Sequence, residues 1–73
     1  MTNVFRVTHD RTSGLWFVTQ DGHAMTLAKY ATRNGAVSLA QRIARTYEPS
    51  KLVVHHVDGR VEREQLFREA TLV

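Results

Sequence analysis

The sequence predicts an α+β fold: a small antiparallel sheet, built from a β-hairpin and a C-terminal hairpin, with one α-helix packed on one face. Three observations carry this. Short N-terminal runs alternate apolar and polar residues. A central segment repeats apolar residues every three or four positions. A valine-rich run then leads into Asp58-Gly59. A period of two marks a half-buried strand, and a period near 3.6 marks an amphipathic helix.

Phe5-Arg6-Val7-Thr8-His9 alternates and reads as the first strand, followed by a turn over Asp10-Arg11-Thr12-Ser13-Gly14. Leu15-Trp16-Phe17-Val18-Thr19 is aromatic and β-branched, a second strand closed by Asp21-Gly22. The two make a hairpin. Met25 to Lys29 is either a third short strand or an extended approach to the helix. Thr32 stands where an N-cap belongs, with Ala36, Leu39, Ala40, Ile43, Ala44 and Tyr47 as the buried stripe. Ser38, Gln41, Arg42 and Arg45 then take the solvent side. Pro49 stops the helix and disfavours helical geometry in Glu48. Lys51 to Val57 is a strand, and Asp58-Gly59 predicts a type I′ turn, in which both central residues have φ > 0. Arg60-Val61 begins the return strand. Gln65 to Val73 is weakly patterned: strand, short helix or frayed end.

Seventy-three residues make one domain, 1–73. A chain of this size buries only roughly 60% of its unfolded surface, so its core is small. Its 42% hydrophobic and 23% charged residues lie near the globular average and exclude a disordered composition. The absence of cysteine removes disulfides, thiolate zinc sites and cysteine nucleophiles, and points to a reducing, cytoplasmic setting. No apolar run has the length of a signal peptide or a membrane span.

The net charge of +3 is unevenly spread. Residues 1–47 hold six cations and two acids, or +4; residues 48–73 hold four and five, or −1. Eight of the ten cations are arginine, whose planar fork suits phosphate or carboxylate.

Taken in order, the hairpin with Trp16, the Thr32-capped helix with Ala36, Ala40 and Ala44, and the segment Leu52 to Val61 (LVVHHVDGRV) resemble the bacterial family called domain of unknown function 2188. The resemblance spans roughly residues 4–66. It implies a fold and no activity. Two positions depart from the family pattern. Arg33-Asn34-Gly35 stands where family helices open with acidic residues, giving up favourable contacts with the helix dipole. His56 replaces a small or different polar residue.

Catalytic and metal constellations fail on geometry. His55 and His56 are adjacent on a strand and point to opposite faces, so they cannot share an ion. Ser13 or Ser38 with a histidine and Asp58 lacks a nucleophile turn and an orienting carboxylate. Asp10, Asp21 and Asp58 sit at turns, where aspartate bonds its own backbone. The scattered glycines form no phosphate loop. We therefore expect no enzyme, no metal and no cofactor, no small-molecule substrate and no membrane.

If Phe5, Val7, Trp16, Val18, Leu52 and Val54 face the helix, the other sheet face carries Arg6, Thr8, Leu15, Phe17, Thr19, Val53 and His55. One helix covers only one side of a sheet. Arg6, Phe17, Val53 and His55 on that open face are one set of candidate partner-binding residues, suited to stacking and neutralising nucleic acid. Arg33, Arg42 and Arg45 on the helix, with Lys29 near them, are the other. The expected function is a small non-enzymatic binding module that associates with DNA or RNA. The alternative is a protein-interaction module, burying the Leu15–Phe17–Val53 patch in a homodimer or acting as a phage or mobile-element inhibitor of a host complex.

Overall fold

The computed structural model describes residues 2–68. Five strands and one helix follow in the order β1 (Asn3–His9), β2 (Trp16–Gln20), β3 (Ala28–Tyr30), α1 (Arg33–Thr46), β4 (Ser50–His55) and β5 (Val61–Phe67). The strands form one sheet in the order β3-β2-β1-β4-β5. Neighbouring ladders are antiparallel except at the centre, where β1 runs parallel to β4, with Phe5 opposite Leu52 and Val7 opposite Val54. The chain climbs to the β3 edge, and α1 then carries it back across β2 and β1 to β4. The predicted α+β fold is therefore present, but its two hairpins are joined through a parallel seam, so the sheet is mixed. Of residues 25–29, Ala28 and Lys29 belong to the third strand, which spans Ala28–Tyr30, and residues 25–27 lead into it. The segment from Gln65 begins as strand, to Phe67; positions 69–73 lie outside the described residues.

The core forms where the alternation predicts. Phe5, Val7, Trp16, Val18, Leu52 and Val54 are all buried against α1. The helix supplies Ala36, Val37, Ala40 and Ala44, small side chains that let its axis lie close on the sheet. Here the structure corrects the predicted stripe: α1 is rotated so that Val37 is buried, Leu39 and Ile43 are only partly covered, and Tyr47 is 57% exposed. Tyr47 is the C-cap, with φ −109° and ψ 37°, so helical periodicity no longer places it.

Helix capping follows the sequence. Thr32 Oγ1 accepts from the Gly35 N–H at 3.2 Å, satisfying one orphan donor of the first turn. Gly35 has a reason to be there. A Cβ at that position would meet Tyr30 Cδ1 at 3.0 Å and Thr32 Oγ1 at 3.2 Å, so the missing side chain admits the Tyr30 ring.

The Asp58-Gly59 turn exists but is not type I′. Only Gly59 has positive φ (94°), and the Gly59 N–H donates to the His56 carbonyl at 2.9 Å. His56 N–H in turn donates to Arg60 O at 2.7 Å, closing a three-residue loop in which a type I turn is followed by a left-handed glycine. Asp58 keeps a negative φ, and its carboxylate accepts from Arg60 N–H at 3.0 Å.

Candidate functional site

The two sets of predicted site residues lie on opposite sides of the sheet. Arg6, Phe17, Val53 and His55 share the open face, as strand alternation requires, and there Arg6 stands beside Val53 in register. The apolar patch expected on that face is smaller than its sequence suggests. Val53 is 3% exposed, flanked in register by Arg6 and Glu64, and Phe17 and Leu15 are half-buried. Lys29, expected near the helix arginines, is instead on this face, because it pairs in register with Phe17; its Nζ lies 5.1 Å from the Phe17 ring centroid, a cation–π contact.

Charge on the open face is mostly paired internally. Arg6 grips both oxygens of Asp21, Nε–Oδ1 at 2.8 Å and Nη2–Oδ2 at 3.1 Å. That bond lowers the Asp21 carboxyl below its ordinary range and raises Arg6 further. Lys51 pairs with Glu64 and lowers its carboxyl in the same way. Arg6 Nη1 also reaches His55 Nε2 at 3.2 Å. A guanidinium only donates, so Nε2 is the acceptor and the ring hydrogen sits on Nδ1, donating to Gly59 O at 2.9 Å. His55 is thus an orienting link between β1 and the second turn. His56, past the end of β4, is exposed. Among the described residues no group of histidines and carboxylates could hold a metal ion.

The helix arginines divide. Arg33 pairs with Glu62 on β5. Arg45 lies over the Phe67 ring, its guanidinium carbon 5.8 Å from the centroid, and Gln41 Nε2 donates to Gln65 Oε1 at 3.3 Å on the same flank. Gln41, expected on the solvent side, is therefore part of the helix–β5 seam. Arg42 is exposed and lines a shallow groove with Leu39, Ile43, Thr46 and Tyr47. Asn34, Ser38, Arg42 and Arg45 make one exposed line along α1, at spacings of three and four.

No acidic residue lies anywhere on α1; the chain has none between Asp21 and Glu48. That gap is the signal that singles out the helix face, and it is visible in the sequence. The groove is not, because it depends on the rotation of α1. Periodicity puts Tyr47 in the buried stripe, and only the helix terminus turns it outward. One side of its ring still rests on the core, 6.3 Å from Phe5 centroid to centroid and tilted 40°.

Chemically the two faces differ. The open face holds ion pairs with satisfied partners. The helix face holds arginines facing solvent, hydroxyl and amide groups beside them, and an exposed aromatic ring at the C-terminal end. No helix is long and apolar enough to cross a membrane among the described residues. A family profile described as "Uncharacterized protein conserved in bacteria (DUF2188)" matches residues 5–67. No curated protein and no solved structure matches the chain.

Proposed function

The chain belongs to the bacterial DUF2188 family of uncharacterized proteins, and from that starting point we propose that it is a small non-catalytic module that binds nucleic acid through the outer surface of α1. One observation carries the reading: Arg42 and Arg45 project from an exposed helix face on a helix without a single acidic residue. Arginine neutralises phosphate and releases its condensed counterions, which supplies sequence-independent affinity. Asn34 and Ser38 on the same line add donors for phosphate oxygens. The open sheet face is the weaker candidate, since Arg6 and Lys51 already have carboxylate partners. The setting this implies is the cytoplasm.

With two exposed arginines the interaction is weak and salt-sensitive, in the range of non-specific binding, ~10⁻⁴–10⁻⁶ M. The test is fluorescence anisotropy of a labelled mixed-sequence oligonucleotide at low and physiological salt. Arg42→Gln with Arg45→Gln should weaken binding and flatten its salt dependence, by roughly one slope unit for each phosphate no longer neutralised. Arg6→Gln should leave it unchanged. Binding that ignores salt, or that falls with Arg6→Gln and survives the helix pair, refutes the assignment.

A further inference from the structure

Resting on that reading, we propose that the groove at the C-terminal half of α1 is a subsite for one unpaired nucleobase, making the partner single-stranded. The groove has a volume of about 310 Å³, at the lower end of ligand-sized clefts. Its walls are of three kinds. Leu39 and Ile43 give a partly covered aliphatic side, Tyr47 an exposed ring, and Thr46 a hydroxyl whose hydrogen is already donated to Arg42 O at 2.9 Å. Among the described residues, Arg42 is the one ionic side chain lining it, and it is a cation. Arg45 lies three residues further along the helix.

This combination matches a base with its flanking phosphates. A base offers a flat, apolar π-face to the ring and aliphatic wall, while its phosphates need cations within a few ångströms of the stacked plane. Tyr47 is well made for the role. Contact with Phe5 holds its ring in place, so little conformational freedom is given up on stacking, yet more than half of the residue remains open to solvent. Arg42, which lines the groove, takes a phosphate beside the stacked base, while Arg45, on the β5 flank over Phe67, adds positive charge on the far side of the helix. A duplex keeps its bases stacked within the helix and presents only backbone, so it would use the arginines and leave the groove empty. A run of acidic side chains would satisfy the arginines as well, but carboxylates alone offer no flat ring system to stack on Tyr47.

The experiment compares four labelled probes at one low salt concentration: a thymidine oligonucleotide, an abasic strand of equal length and charge, a duplex, and polyglutamate of equal charge. Wild type should bind the thymidine strand most tightly. Tyr47→Ala should lower that affinity roughly tenfold, the loss expected for one stacked base, and leave abasic binding unchanged. Tyr47→Phe should retain wild-type binding. Tyr47→Leu, which keeps apolar bulk without the ring, should lose the thymidine preference even if Tyr47→Ala fails to fold. Equal affinity for thymidine and abasic strands, or losses at Tyr47 that are the same on both, overturns the base subsite while leaving nucleic-acid binding intact. Tighter binding of polyglutamate overturns it in favour of an acidic protein partner. If none of the nucleic-acid probes binds, the proposed function itself fails and the subsite fails with it.

Discussion

Ser50 ties the last turn of the helix to the first residue of β4, and removing its one oxygen should be visible in a denaturation curve. The residue is 1% exposed, and its Oγ donates to the Ala44 carbonyl at 2.5 Å. Carbonyls of a final helical turn have no partner within the helix. That of Ile43 takes the Tyr47 N–H at 3.1 Å, and that of Ala44 depends on Ser50. In Ser50→Ala the carbonyl stays buried and loses its donor, a penalty of about 1–3 kcal/mol. A domain of this length has only ~4–10 kcal/mol of stability at the usual value per residue, so the loss is a large fraction of the whole. Thr46→Ala is the matched contrast. Its Oγ1 also donates to a helix carbonyl, that of Arg42 at 2.9 Å, but on the exposed surface, where water substitutes. Alanine is the better helix former by up to about 0.7 kcal/mol, so this change should be neutral or slightly stabilising. Urea titrations followed by far-ultraviolet circular dichroism give both numbers, with a constant slope as the check on two-state behaviour. A Ser50→Ala effect below ~0.5 kcal/mol, or equal costs for both variants, would refute the argument, because burial is what separates them.

Three further outcomes follow from the packing and the ion pairs. Leu52→Ala, at a fully buried site on a central strand, should cost ~2–5 kcal/mol, and Ile43→Ala, only partly covered, clearly less; the reverse order in the same titration would mean that α1 is rotated from the position described. Gly59→Val should destabilise through backbone strain at φ 94°, since a Cβ there meets nothing within 4 Å, whereas Gly59→Asn should recover much of the loss; equal melting temperatures for the two would remove the left-handed requirement. Asp21 and Glu64 have folded carboxyl pKa values below their unfolded ones, so their contribution is present above the ordinary carboxylate range and is lost as pH falls through the depressed values. Acid titration of Asp21→Asn should accordingly show a shallower loss of stability than wild type below about pH 4; superimposable curves would mean that the Arg6–Asp21 pair contributes nothing in solution.

Local pattern was enough for the elements that rest on neighbours in sequence. Alternation in Phe5 to His9 and in Leu52 to Val54 assigns each side chain a face, because successive strand residues point oppositely whatever the partner strand is. Thr32 as cap depends on one turn of backbone, and it is legible for the same reason. The candidate residues sort into an open-face set and a helix set by the same logic.

What tertiary structure alone decided are quantities set by distant partners. The parallel pairing of β1 with β4 joins residues some 47 positions apart, and no local period encodes it. The rotation of α1 is decided by the fit of Ala36, Ala40 and Ala44 against the sheet, so it buries Val37 and leaves Leu39, Ile43 and Tyr47 to form a groove. A stripe of apolar residues wider than the surface it packs on cannot announce which edge will stay in water. The Arg33–Glu62 and Arg6–Asp21 pairs likewise appear only on folding, and they decide which arginines remain available to a partner. Composition could show that the first two-thirds of the chain is basic. Only the fold leaves Arg42 and Arg45 facing outward on the helix surface while Arg33, on the same helix, is tied to Glu62.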